Sequence, residues 1–237
     1  MGYALLCGDA LEIMRADLKD NSIDLIITDP PYKSLEEHRA RGTTTRLVKS
    51  WFPVLEDAVL LEHAREWLRV LKPGRHLYMM CDPKTSYALV PALLAMGWRW
   101  GNRLIWDKKR IGMGYHYRRR YEDILFLTKP ATGGHKKRKL RDLGVPDVID
   151  TVPAVRKRGA YPTQKPIGLA SLFMFQSGNA GETVLDPFCG SGSTVAAAIS
   201  GGMHGIGIDV QEQAIYRAGA SLRDIGGAEL SWKEFVG

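Results

Sequence analysis

Long apolar runs are missing from this sequence. No stretch approaches the roughly 18 residues that a membrane-spanning helix needs, which excludes such a helix and a membrane partner with it. No charged segment followed by an apolar core opens the chain, so the expectation is a soluble, cytoplasmic protein that is not secreted. Cysteine is scarce: Cys7, Cys81 and Cys189 are odd in number and far apart. That pattern fits reduced thiols and excludes a disulfide framework; no metal site is expected either. Internal repeats and long low-complexity tracts are also lacking. What the chain does have is room for a core, since 237 residues with 45% apolar content suffice for one large α/β domain.

The net charge of +7 is unevenly placed. Between Arg99 and Ala160 stand 17 Lys and Arg against 6 Asp and Glu, so this segment carries a surplus of +11 and the remainder is mildly acidic. A solvated face would account for charge alone. Here the basic residues alternate with Tyr115, His116, Tyr117 and Tyr121, for which a solubilising face has no use. The segment reads as an electrostatic footprint for a polyanion, with nucleic acid the expected partner.

Hydrophobic periodicity predicts strands over Ala4–Cys7, Ile23–Thr28, His76–Met80, Arg103–Trp106, Asp123–Thr128, Thr183–Leu185 and Gly205–Ile208. Helices are predicted over Glu56–Leu71, Lys84–Met96, Ile167–Gln176, Ser193–Ser200 and Gln211–Leu222, the first of them stopped by Lys72-Pro73-Gly74. Such alternation implies a mostly parallel sheet with helices on both faces, and the pair Arg103–Trp106 and Asp123–Thr128 reads as a hairpin.

Two segments carry chemistry. Asp29-Pro30-Pro31-Tyr32 follows the apolar strand Ile23–Thr28 directly. The prolines fix φ near −65° and keep the loop extended, so it presents a carboxylate, acceptor carbonyls and a ring together. An exocyclic amino group could give one hydrogen to Asp29 and the other to the Pro30 carbonyl, with its base against Tyr32; base stacking on an aromatic ring contributes roughly 1–3 kcal/mol. A plain turn after a strand is the competing reading. The second segment, Asp186-Pro187-Phe188-Cys189-Gly190-Ser191-Gly192, joins a strand to a helix, where glycines let backbone approach a ligand. No Gly-Lys-Ser/Thr follows it, which argues against a phosphate-cradling loop. Asp209 ends the next strand, where a carboxylate can accept from ribose hydroxyls. An adenosine without a demanding phosphate suits both features, and S-adenosylmethionine is one.

With these segments in hand, the chain resembles the β-class of DNA amino-methyltransferases, which act on N6 of adenine or N4 of cytosine. The likeness runs through Gly8-Asp9-Ala10-Leu11, Asp29 to Tyr32, Ile105-Trp106-Asp107-Lys108, Tyr121-Glu122-Asp123-Ile124-Leu125, Tyr161-Pro162-Thr163-Gln164-Lys165-Pro166 and Asp186 to Gly192. Their order is the class's own: the catalytic segment precedes the cofactor segment, a circular rearrangement of the usual methyltransferase order.

The resemblance implies a single Rossmann-like methyltransferase domain over residues 1–237, with a mostly parallel seven-stranded sheet and an antiparallel hairpin. Basic, DNA-facing insertions are expected at about 33–50, 108–120 and 130–160. It implies S-adenosyl-L-methionine as methyl donor, S-adenosyl-L-homocysteine as product, double-stranded DNA as substrate, and a base flipped out of the duplex. Asp29, Pro30, Pro31 and Tyr32 would be catalytic. Asp9, Ala10, Asp29, Thr163, Gln164, Lys165, Asp186, Phe188, Gly190, Ser191, Gly192 and Asp209 would hold the cofactor. For Lys165 two readings stand, carboxylate binding and an ordinary exposed lysine. DNA contacts would come from Lys33, Arg39, Arg41, Lys108, Lys109, Arg110, Arg118, Arg119, Lys136, Lys137, Arg138, Lys139, Arg156, Lys157 and Arg158, mostly to phosphates. An Asp rather than Ser at position 29 favours adenine, with N4-cytosine as the alternative and a non-catalytic DNA-binding protein as the remote one. Cytosine-C5 chemistry is disfavoured because none of the three cysteines follows a proline. Nuclease and helicase signatures are missing, which leaves a solitary enzyme or the modification half of a restriction–modification pair with a separately encoded endonuclease. A homodimer is common in the class.

Overall fold

The strand Ile23–Thr28 (β2) is buried along its whole length, and from Leu25 to Ile27 its side chains leave alternately for two separate cores. Ile26 joins the cluster on one face; Leu25 and Ile27 join the other. In the computed structural model the described residues are 1–32, 54–112, 117–134, 136–154 and 164–232. In chain order they form β1 (Gly2–Cys7), α1 (Ala10–Asp17), β2, α2 (Asp57–Val70), β3 (Leu71–Cys81), α3 (Pro83–Ala95), β4 (Arg99–Asp107), β5 (Tyr121–Thr128), β6 (Val148–Ile149), α4 (Ile167–Ser177), β7 (Thr183–Asp186), α5 (Ser193–Ser200), β8 (His204–Asp209), α6 (Glu212–Arg223) and β9 (Ala228–Glu229).

The strands make one sheet in the order β6-β4-β5-β3-β2-β7-β8-β1-β9. All neighbours are parallel except β5, which runs against both β3 and β4. The seven expected strands and the antiparallel hairpin are there, but the sheet has nine strands among the described residues. The two extra ones, β6 and β9, are two-residue additions at its edges, too short to leave a period in the sequence.

One face of the sheet is covered by α1, α2 and α3 through Met14, Leu60, Trp67, Leu89 and Leu93. The other is covered by α4 and α5 through Leu169, Phe173, Met174, Ala197 and Ala198. On that second face Tyr78 of β3 stacks on Phe173 at 4.3 Å between ring centres and on Phe126 at 4.9 Å. The Tyr78 hydroxyl and His76 Nδ1 both meet Ser177 Oγ at 2.7 Å, which accounts for their polar atoms inside the core.

The Lys72-Pro73-Gly74 segment departs from expectation. α2 ends at Val70, and β3 begins at Leu71 and runs through the tripeptide. Ile23 pairs with Leu71 and Leu25 with His76, so the extra residues form a bulge, the one setting in which a sheet tolerates a proline.

Because β1, β2, β7 and β8 are mutually parallel, the loops that leave their carboxyl ends gather at one pole of the sheet. β5 runs the other way, so its first residues reach that same pole and its last, with the segment after it, lie at the opposite one.

Candidate active site

Four loops converge at the carboxyl pole around a cavity of about 420 Å³. From β1 come Gly8, Asp9 and Ala10; from β2, Asp29 to Tyr32; from β7, Asp186 to Ser191; from β8, Asp209 to Gln211. The far wall is Met80, Trp106, Lys108, Arg110, Glu122, Gln164 and Lys165, and α2 contributes His63.

The β2 loop is tied down at its far end. Leu55 N–H donates to the Pro31 carbonyl at 2.8 Å, and Tyr32 bridges to Leu55. Pro31 is therefore committed to the fold. Among the described residues none donates to the Pro30 carbonyl, which remains an acceptor at the cavity wall.

Asp29 is held by a row of charges. Its Oδ2 lies 2.8 Å from Lys165 Nζ, which also donates to Glu122 Oε2 at 2.8 Å; Lys108 Nζ donates to Glu122 Oε1 at 3.1 Å. Burial pushes the Asp29 carboxyl up, and Lys165 opposes that push. Burial also acts on Glu122, but Lys165 and Lys108 outweigh it and hold the carboxyl down at about 2. The Lys165 ammonium is held well above its ordinary range, because Asp29 and Glu122 more than offset its burial. Its side chain is only 17% exposed, which excludes the reading of an ordinary surface lysine.

On the glycine-bearing side, Asp186 is buried and its carboxyl is pushed up to about 7 by that burial, against hydrogen bonds from Thr194 and from the Phe188 N–H. Asp209 accepts from Gly190 N and Gln211 N at 2.9 Å each, one per oxygen, so each oxygen keeps a second lone pair. Two glycines make the close packing possible. A Cβ on Gly207 would come within 2.9 Å of both Cys189 Sγ and Leu5 Cδ2. Gly192 has φ +80° and its missing Cβ would lie 2.8 Å from Ala218 Cβ. Gly192 thus fits α5 against α6 and lies off the cavity wall, where Ser191, Ser193 and Thr194 stand instead.

Asp9 caps α1 by accepting from Leu11 N and Glu12 N, and it lines the cavity with Ala10. Gln164, Lys165, Phe188 and Gly190 line the same cavity. Thr163 lies outside the described residues, as do Lys33, Arg39, Arg41, Arg156, Lys157 and Arg158.

The remaining basic residues divide by position. Arg110 is on the cavity wall and exposed. Lys108 is engaged by Glu122, Lys109 by Asp150 and Asp107, Arg119 by Asp82, and Arg118 Nε donates to the Gly112 carbonyl. Lys136, Lys137, Arg138 and Lys139 lie elsewhere. Arg138 N–H donates to the Gly74 carbonyl, which fixes this run at the start of β3, beside Lys72 and Arg75. Met80, the β3 residue on the cavity, is six residues further on, roughly 20 Å at about 3.3 Å per residue. The run therefore lies toward the pole opposite the cavity. Arg138 is further turned inward, 12% exposed and paired with Glu182.

Glu122, Trp106 and His63 are among the cavity residues that had no role assigned from the sequence. Glu122 stood within a family-like segment without a role. Trp106 was likewise only part of such a segment. His63 had a readable signal: it falls at helical spacing between Leu60, Ala64 and Trp67, a histidine on an apolar face. Its ring lies 4.9 Å from that of Phe188, burial brings its pKa down to about 4, and its Nδ1 has no partner among the described residues. No three metal-ligating side chains cluster among those residues, and no helix there is long and apolar enough to cross a membrane.

A family model for N6/N4 methyltransferases, described as DNA methylase, matches residues 23–219. The type II methyltransferase M.HpaI of Haemophilus parainfluenzae is 32% identical, over 92% of this chain and 73% of that protein. The DNA adenine methyltransferase YhdJ of Escherichia coli K12 is 28% identical, over 89% of this chain and 79% of its own length. Among solved structures, the M1.HpyAVI–SAM complex superposes with a TM-score of 0.69 at 22% identity, covering 93% of this chain and 98% of that one. The cytosine-N4-specific PvuII DNA methyltransferase gives 0.71 at 13% identity, over 98% and 95%.

Proposed function

The chain belongs to the N6/N4 family of DNA methylases, and from that membership we propose that it transfers a methyl group from S-adenosyl-L-methionine to the N6 amino group of adenine in DNA. The observation that carries the reading is one cavity lined by Asp29, Pro30 and Tyr32 together with Phe188, Gly190 and Asp209.

The wall suits such a donor. Asp29 and Glu122 are balanced by Lys165 and Lys108, and Asp9 and Asp209 add carboxyl groups to the cavity wall, which favours a sulfonium cation. Asp209 has lone pairs left for ribose hydroxyls, Phe188 offers a ring, and His63 Nδ1 is a buried polar atom wanting a partner. When bound, the cofactor supplies an electrophilic methyl: the amine lone pair bonds to its carbon while the carbon–sulfur pair returns to sulfur, leaving S-adenosyl-L-homocysteine.

The protein's share is to prepare the amine. Its lone pair is delocalised into the base, and hydrogen bonds from its two N–H groups to Asp29 and the Pro30 carbonyl favour a more tetrahedral nitrogen with its lone pair free. Tyr32 fixes the plane of the base, and the alignment of nitrogen and methyl supplies the rest of the effect. As the new bond forms, positive charge grows on nitrogen beside the Asp29 carboxylate, which then accepts the proton that the nitrogen must shed.

Adenine is favoured over cytosine by Asp at position 29 and by the adenine activity named for YhdJ. The cytosine-N4 reading keeps one support, the PvuII likeness, since the same two acceptors would serve an N4 amine. Labelled methyl transfer to mixed-sequence DNA, followed by nucleoside analysis, separates them: N6-methyladenine is expected, N4-methylcytosine overturns the choice of base, and no label overturns the activity. Asp29→Ala is expected to abolish transfer while leaving cofactor binding largely intact; substantial residual turnover would refute the role given to Asp29.

A further inference from the structure

The charges behind Asp29 come from four separate parts of the chain. Asp29 follows β2, Glu122 is in β5, Lys108 follows β4 and Lys165 precedes α4, yet their heads form an unbroken row. Two carboxylates and two ammonium groups alternate, so the row is neutral as a whole. Every member is less than one quarter exposed, which distinguishes it from a surface pair.

We propose that Lys165, steadied by Glu122, is a positioning residue for the acceptor amine: it fixes Asp29 Oδ2, so that Oδ1 is the oxygen offered to the amino group, and keeps that carboxylate ionised. The inference rests on the amine-methylating reading above and assigns Lys165 to the acceptor half of the cavity rather than to the cofactor.

As the anion Asp29 keeps both oxygens as acceptors and can take up the proton that the amine sheds; as the acid one oxygen already carries a proton, and that capacity is lost. Burial favours the acid. The groups that face Asp29 are Lys165, Glu122, Lys108, Asp186 of the β7 loop, Cys81 at the end of β3 and Tyr32 of its own loop. Lys165 is the cation in contact with it, while Glu122 pushes the other way. Glu122 in turn has a second ammonium of its own, Lys108, so it can hold Lys165 without drawing it off Asp29. Of the three Lys165 N–H bonds, two are taken by these carboxylates.

The test is opposite movement of one pH profile. Single-turnover methyl transfer is measured from pH 5 to 9 for the wild type, Lys165→Met, Glu122→Gln and the double variant, with cofactor binding titrated separately. The rate needs ionised Asp29, so its acid limb follows that carboxyl. Lys165→Met should slow transfer about a hundredfold at neutral pH and move the limb upward by about one unit or more. Glu122→Gln should move it downward, and the double variant should bring it back toward the wild type without restoring the rate. Cofactor affinity should stay within about threefold throughout, less than 1 kcal/mol. An unmoved limb in both single variants overturns the proposal, and so does a loss of cofactor affinity in Lys165→Met that matches its loss of rate. If Lys165→Met fails to fold, the downward shift in Glu122→Gln decides. Absence of transfer by the wild type would count against the underlying activity instead.

Discussion

Asp186 is a buried acid whose cost is visible in its pKa. Burial holds its proton on up to about pH 7, whereas the unfolded chain releases it at about 3.9. Between those values folding takes up a proton, so this residue makes stability fall as pH rises from about 4 through about 7. Asp186→Asn keeps the acceptor for Phe188 N–H and removes the titration. Without cofactor, the variant is expected to be more stable than the wild type at pH 8 by about 1–3 kcal/mol and nearly equal to it at pH 4.5. Denaturant melts at the two pH values check this; an unchanged difference would mean that Asp186 is ionised in the folded protein throughout. Single residues were legible in the sequence where a loop forces their position. Asp29 follows its strand directly, Asp186 and Asp209 end theirs, and all three reach the cavity. Lys165 was ambiguous because its partners, Asp29 and Glu122, are 136 and 43 residues away along the chain, beyond the reach of local spacing.

Elements were legible where their period is long enough to repeat. α2 shows its apolar face over four turns, and its bounds differ from expectation by one residue at each end. α1 was not foreseen. It has eight residues, and its signal is the Asp9 cap rather than a repeating face. The turn into α5 is more demanding than its composition suggests, because Gly192 is left-handed and touches α6. Gly192→Ala carries roughly 1–2 kcal/mol for its backbone conformation alone. Its Cβ would also force Ala218 and α6 away from the β7 loop. The expected result is a melting temperature lower by about 4–8 °C, with weakened cofactor binding because Ser191 and Ser193 border the cavity on either side. A melting temperature equal to that of the wild type would mean that α6 yields without cost.

At the scale of the whole molecule the basic segment was legible as charge but not as geography. A run of lysines reads the same at either pole of a sheet. Only the pairing of β5 with β3, and the hydrogen bond from Arg138 to Gly74, sends Lys136 to Lys139 away from the cavity. The two poles are therefore expected to differ in what they do to DNA binding. Replacing Arg110 by Gln should lower the slope of log affinity against log salt by about 0.9 on a short duplex, one phosphate contact. Replacing Lys136, Lys137 and Lys139 by Gln should leave that slope and the transfer rate unchanged. A fall of two or more in the slope of the triple variant would show that the duplex reaches round the molecule.

The edge strand β9 lies beside β1, and Ala228 N–H meets the Met1 carbonyl at 3.4 Å. β2 and β7 lie side by side at the centre of the same sheet although some 160 residues separate them. Synthesis runs in one direction along that sequence, so a nascent chain carries the acceptor loop at Asp29 well before the strands β7 and β8, which bring Asp186 and Asp209 to it, exist. The reaction can begin only when the two distant stretches have met.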